Sequence, residues 1–298
     1  MNGILLIDKP KDFTSFDVIA KLRGILKMRR LGHAGTLDPM ATGVLPVFVG
    51  YATKACGILP NEDKTYIAEF QLGKVTDTQD STGNLLETHD FSSITQNDIF
   101  RVLPHGIIMQ IPPMYSAVKV DGKKLYELAR QGKEIERKPK EITVYESQCL
   151  AFDELTGVGK IQIHCSKGTY VRTLIHDMGQ SLGCGAIMTD LRRISASGFD
   201  IRDCHTLDEV QQLADNGNAE SIILPIEQAF TDLPKIRLDE KQTIHYKNGV
   251  KLGLSQLQNQ ICNASRYAVY GMPDGFLGTA VIDSENDCLR IERNLSER

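Results

Sequence analysis

A single carboxylate, Asp38, stands in the stretch GHAGTLDPMATG, Gly32 to Gly43, which is otherwise built of glycine, threonine, small apolar residues and a proline. His33 lies nearby, and the segment KLRGILKMRR directly upstream carries five basic side chains (Lys21, Arg23, Lys27, Arg29, Arg30) and no acid. Glycines at 32, 35 and 43 permit close approach of a ligand to the backbone. A carboxylate set among cations stays ionised and can act as a nucleophile or a base. Taken alone, Asp38 before Pro39 equally fits a turn or the cap of a helix. The remaining chain has to discriminate.

Other chemistries lack their residues. Seven cysteines are scattered with no CxxC pair, and seven histidines form no HxxxH or HExxH pattern, so neither a disulfide framework nor a zinc site is expected. GCGAI at Gly183–Ile187 lacks the third glycine of a dinucleotide fingerprint and closes a helix instead of opening one. In DTQDSTG, Gln79 and Thr82 stand where a calcium loop needs a ligand and its glycine. The net charge of −4 does not favour nucleic acid, but residues 119–140 carry eight basic and four acidic side chains. A chain that is acidic overall can still present a basic face. No apolar run is long enough to span a membrane, and MNGILLIDKP has neither the basic nor the apolar region of a secretory signal, so a cytoplasmic location is expected.

Several elements must position these residues. GILLID reads as a buried strand, and TSFDVIAKLRGIL as a helix opened by Thr14-x-x-Asp17 with Val18, Leu22, Ile25 and Leu26 on one stripe. GVLPVFVG and KTYIAEFQLG are strand-like, as are EITVYESQCLAF and GKIQIHC, the last running into a helix, RTLIHDMGQSLG. Residues 110–140 behave as an insertion, with Pro112-Pro113, a hairpin-like Asp121-Gly122 and a short basic helix around Lys124–Arg130. Strands and helices follow no strict βαβ rhythm, which predicts an α+β fold. After Leu233-Pro234 short strands and glycine turns predict a small β-rich domain.

The stretch GHAGTLDPMATGVLPV closely resembles the catalytic segment of the TruB family of tRNA pseudouridine synthases. The resemblance continues through GILLIDKPKDFTSFDVIAKLRGIL, KTYIAEFQLGKVTDTQDSTG, IPPMYSAVKVDGKKLYELARQG and CSKGTYVRTLIHDMGQSLGCGAIMTDLRR, in the family's order, from residue 3 to about 197. Asp12 departs from it, standing where members often carry glycine. The C-terminal segment resembles a PUA-like RNA-binding domain more weakly, through HYKNGVKLGL.

The resemblance implies the pseudouridine synthase fold with a mixed, mainly antiparallel central sheet, a catalytic domain over residues 1–230 and a PUA-like domain over 231–298. It implies isomerisation, without cofactor or metal, of the uridine at tRNA position 55, the base being flipped out of the T loop, and a monomer that binds the T arm of tRNA. Asp38 would be the essential carboxylate, Arg172 its ionic partner, and Tyr66 the ring that stacks on the uracil and helps remove the C5 proton. Leu191 would form an apolar wall, and His33 would pack where the base has left the stack. Lys9, Arg29 and Arg30 would contact phosphates, and the insertion would close over the tRNA like a thumb. Asp77 and Asp80 match a family motif without an assigned role. A non-catalytic RNA-binding protein or tRNA-folding chaperone on the same scaffold is the alternative class, and a chaperone role can accompany catalysis. A glycosidase would need a second acid, where the motif supplies an arginine.

Overall fold

The computed structural model describes residues 1–116, 118–120, 122–257 and 260–296, so Asp121 of the expected hairpin turn lies outside it. In chain order the elements are β1 (Gly3–Lys9), α1 (Ser15–Leu26), β2 (Leu31–His33), β3 (Thr42–Val49), β4 (Lys64–Leu72), β5 (Lys74–Thr76) and β6 (Leu85–Thr88). They continue with α2 (Gln96–Val102), β7 (Gly106–Gln110), β8 (Lys119–Val120), β9 (Lys123–Lys124), α3 (Leu125–Ala129), β10 (Lys140–Asp153), β11 (Val158–Cys165), α4 (Val171–Ser181) and β12 (Ala186–Ala196). Two compact units interleave along the sequence: Met1–Pro39, Val44–Asn61 and Ser197–Arg298 form one, Met40–Gly43 and Glu62–Ala196 the other.

In the first unit, β1 is a continuous apolar run, and Ile4, Leu5, Leu6 and Ile7 are all buried, as a strand covered on both faces requires. The Thr14 hydroxyl accepts from the Asp17 amide at 3.0 Å, and the Asp17 carboxylate accepts from the Thr14 amide at 2.8 Å. This reciprocal cap starts α1 where the sequence predicts. The Thr14 hydroxyl and amide hold the Asp17 carboxyl below its ordinary value. Val18, Ile19, Leu22, Ile25 and Leu26 of α1 then pack on Leu5, Ile7, Leu45 and Val47. A second core in the same unit gathers Ile236, Leu238, Tyr246, Tyr267, Val269, Leu277 and Leu289. It lines a five-stranded curled sheet in the order Lys235–Leu238, Arg266–Gly271, Gly275–Asp283, Cys288–Asn294, Leu252–Gly253.

In the second unit the strand order is β12-β4-β11-β10-β7. All of these pairs are antiparallel, while Thr42 and Gly43 pair with Arg192 and Arg193 of β12 in parallel, so the sheet is mixed. β4 alternates: Tyr66, Ala68, Phe70 and Leu72 are buried and the residues between them are half-buried, the period of a strand with one covered face. The insertion holds the short hairpin β8–β9 and a single helical turn, α3, where a basic helix of similar extent is expected. Among the described residues no helix is long and apolar enough to cross a membrane, and no cluster of three or more His, Cys, Asp or Glu could hold a metal ion.

Candidate active site

Asp38 is half-buried in the loop between β2 and β3. The backbone on either side of it is tied down. On one side, Ser15 Oγ accepts from the Leu37 amide at 2.9 Å and donates to the Leu37 carbonyl at 3.3 Å. On the other, the Pro39 carbonyl accepts from the Asp12 amide at 2.8 Å and from Lys9 Nζ at 3.2 Å. Buried backbone groups must find such partners, and here the pairing fixes the position of one carboxylate.

Lys9 belongs to the same loop. Its side chain is fully buried, and Nζ also donates to the carbonyls of Pro10 at 2.8 Å and Phe13 at 2.5 Å. An ammonium has three N–H groups, and these bonds to carbonyls brace the loop. Asp12 sits at φ +64°, the left-handed region that glycine favours and that aspartate tolerates. Loop shape thus accommodates an aspartate where the family resemblance implies glycine.

His33 ends β2 opposite Val47 of β3 and is half-buried. Arg29 and Arg30 are exposed. The Arg30 guanidinium lies 4.7 Å from the centre of the Tyr51 ring and its Nε donates to Thr53 Oγ1 at 3.0 Å, while Lys54 Nζ lies 5.6 Å from the same ring. Tyr51 and Lys54 therefore join the expected basic surface. The signal that could have found them is the YATK stretch following the apolar strand.

In the second unit, Tyr66 on β4 is paired in register with Arg193 on β12, and Leu191 with Ala68. Directly opposed residues point to the same face, so Tyr66 and Leu191 share the buried face of the sheet. Arg172, the second residue of α4, is 5 % exposed. Its guanidinium lies 3.5 Å from Asp80 Oδ2 and donates to the carbonyls of Thr78 at 3.3 Å and Tyr115 at 3.0 Å. Asp80 Oδ1 in turn accepts from Thr78 Oγ1 at 2.7 Å, Thr82 Oγ1 at 2.6 Å and the Thr82 amide at 2.9 Å. The loop carrying Asp80 is strapped to β12 at Met188, whose carbonyl accepts from the Ser81 amide and whose amide donates to the Gln79 carbonyl. Asp77 accepts from the Asn84 amide at 2.8 Å and Nδ2 at 3.0 Å, which shapes the turn. A buried guanidinium needs a counter-charge and filled donors, and Asp80 with two carbonyls provides them.

Gly43 closes the motif at the point where β3 meets β12. Its φ is +105°, and a Cβ built there would lie 2.1 Å from the Arg193 carbonyl oxygen. Gly43→Ala is therefore expected to push the strand start off β12 and to lower the rate of the reaction at this site at least about tenfold while the protein still folds, a loss of about 1.4 kcal/mol or more in transition-state stabilisation. Steady-state kinetics alongside a thermal melt would check this.

The architecture is the pseudouridine synthase fold. A chain of a crystallised Cbf5-Nop10-Gar1 complex superposes with a TM-score of 0.75 at 25 % identity, over 98 % of this chain and 84 % of that one. The N-terminal domain model of the TruB family pseudouridylate synthases matches residues 23–171, and the C-terminal domain model of tRNA pseudouridylate synthase B matches residues 172–231. tRNA pseudouridine synthase B of Bacillus cytotoxicus is 41 % identical over 305 residues, covering 100 % of this chain and 94 % of its own. The same enzyme of Dehalococcoides mccartyi is 40 % identical over 289 residues, covering 96 % and 94 %. The chain belongs to the TruB family of tRNA pseudouridine synthases, which are isomerases.

Proposed function

We propose that this chain converts the T-loop uridine at tRNA position 55 to pseudouridine with Asp38 as its nucleophile. The observation that carries the reading is the clamped backbone at Leu37 and Pro39, which presents one carboxylate at a defined place within the family motif. In this reaction Asp38 attacks the nucleoside, at the ribose or at the base, and the N1–C1′ bond breaks. The uracil turns, a C5–C1′ bond forms, C5 loses its proton and N1 gains one. Atoms and electrons balance without oxidant, water or metal. Arg172, pre-oriented by Asp80, pairs with the Asp38 carboxylate and keeps it ionised.

Tyr66 stacks on the uracil and takes part in removing the C5 proton, while Leu191 walls the pocket. Extrusion of the base costs about a few kcal/mol of stacking, and His33 offsets part of it by packing where the base was. Arg29 and Arg30, with Tyr51 and Lys54, form a cationic and aromatic surface suited to phosphates and unstacked bases. The 110–140 insertion closes over the T arm. Residues 231–298 act as a PUA-like RNA-binding domain beside a catalytic domain of residues 1–230, a division supported by the separate hydrophobic core they build. The enzyme works as a monomer, and the unfolding needed for extrusion gives it an accompanying chaperone role.

The test is an unmodified tRNA transcript incubated with the purified protein and mapped for pseudouridine. Product at position 55, absent when that uridine is replaced by cytidine, is the expected result. Tight tRNA binding with no product would overturn the enzymatic reading for this substrate and favour the chaperone.

A further inference from the structure

Helix α4, whose second residue is Arg172, is tied at its start to a remote side chain. Its N-cap is Tyr170, extended at φ −101° and ψ 105°, and tyrosine is not among the residue types whose own side chain closes a helix start. In a capping box a glutamate or glutamine at the third helical position reaches back to the N-cap amide. Here the third residue is Thr173, and its hydroxyl donates to Gln79 Oε1 at 2.8 Å. The buried Gln110 fills that role from 60 residues away. Its Oε1 accepts from the Tyr170 amide at 2.8 Å, and its Nε2 donates to the Tyr170 carbonyl at 3.0 Å. Gln110 is also the last residue of β7, opposite Lys140 at the start of β10, so the two ends of the 110–140 insertion meet at this pair. Further along the insertion, the Tyr115 carbonyl accepts from the Arg172 guanidinium at 3.0 Å. The entry of the insertion therefore holds the first turn of α4 at two residues, Tyr170 and Arg172.

We propose that Gln110 is a positioning residue for the reaction: by fixing the start of α4 against the base of the insertion, it sets where Arg172 is rooted for its pairing with Asp38. This rests on the reading of Arg172 given above. Asp80 and the carbonyls of Thr78 and Tyr115 hold the tip of the arginine, whereas Gln110 holds the backbone from which it springs. A slip of the N-cap would carry the neighbouring Arg172 with it. A primary amide suits the position because it offers a donor and an acceptor at once to one N–H and one C=O. A carboxylate in its place still accepts from the amide, but it meets the Tyr170 carbonyl with lone pairs. Burial raises the pKa of such a carboxyl, and protonation returns the missing donor.

Gln110→Met keeps the length of the side chain and loses both bonds. On an unmodified tRNA transcript its single-turnover rate is expected to fall about tenfold, with tRNA affinity within about threefold of wild type. Gln110→Glu should be slow at neutral pH and recover as the pH falls, when its rate is taken as a ratio to wild type at each pH. In an Arg172→Gln background the methionine change should cost less than about twofold, because both substitutions disturb one group. A Gln110→Met rate within about twofold of wild type overturns the proposal, as does a tenfold loss that persists undiminished in Arg172→Gln, or a Gln110→Glu ratio that is flat with pH. The glutamate variant retains one of the two bonds and decides the matter even if the methionine variant does not fold. A full rate in Arg172→Gln overturns instead the reading of Arg172, which separates the two failures.

Discussion

Asp38→Asn is expected to abolish pseudouridine formation, with a single-turnover rate at least about a thousandfold below wild type, while tRNA affinity changes less than about threefold. The substitution is isosteric. A carboxamide retains the shape of the side chain and its place in the loop, because that place is set by the backbone: Ser15 holds Leu37, and Lys9 with Asp12 holds Pro39. What disappears is the negative charge and the nucleophilic oxygen. Rate measurement on an unmodified transcript, with filter binding on the same preparation, reads the two quantities separately. A variant that keeps more than about a tenth of the rate would remove Asp38 from the chemistry.

Asp80→Ala is expected to be the most damaging change away from Asp38, lowering both stability and rate. Arg172 and Asp80 are 5 % and 6 % exposed at their side chains, so the alanine variant takes a neighbouring counter-charge away from a buried guanidinium. Removing one partner of a buried ion pair costs about 3–5 kcal/mol. It also strips the Thr78 and Thr82 hydroxyls and the Thr82 amide of their common acceptor, so the loop strapped to β12 at Met188 loses its internal order. Urea denaturation would report the lost stability as a lower midpoint. The rate should fall as well if Arg172 has the role proposed for it, because its guanidinium loses the carboxylate that holds it in place. Asp80→Asn keeps one acceptor oxygen and the loop shape, and so should lie between wild type and Asp80→Ala in stability. Equal stability of all three proteins would show that Asp80 is not what supports Arg172.

Much of the molecule is written locally. The apolar run of β1, the Thr14–Asp17 cap of α1 and the alternation of β4 each follow from side-chain periodicity and short-range hydrogen bonding, and they fold where the residues predict. The Asp38 motif is equally local, because glycines, a proline and a single acid within twelve residues define a loop and its one carboxylate. Other features depend on pairs that are remote in the chain. Asp80 meets Arg172 across 92 residues, and Lys9 meets the Pro39 carbonyl across 30. Lys9 looks like a surface cation in the sequence because charge type says nothing about burial; only the folded loop supplies the three carbonyls that make a buried ammonium tolerable.

The same distinction separates Tyr66 from its neighbours. That a tyrosine sits in a strand is legible from KTYIAEFQLG, and the family motif points to its role. That Arg193 stands beside it is decided by the register of β12 against β4, and a one-residue slip would turn every side chain of the strand to the other face. Residue types and short spacings thus determined which groups are available for chemistry. Strand register and burial decided which charges those groups work beside, because both depend on contacts between segments that carry no local record of one another.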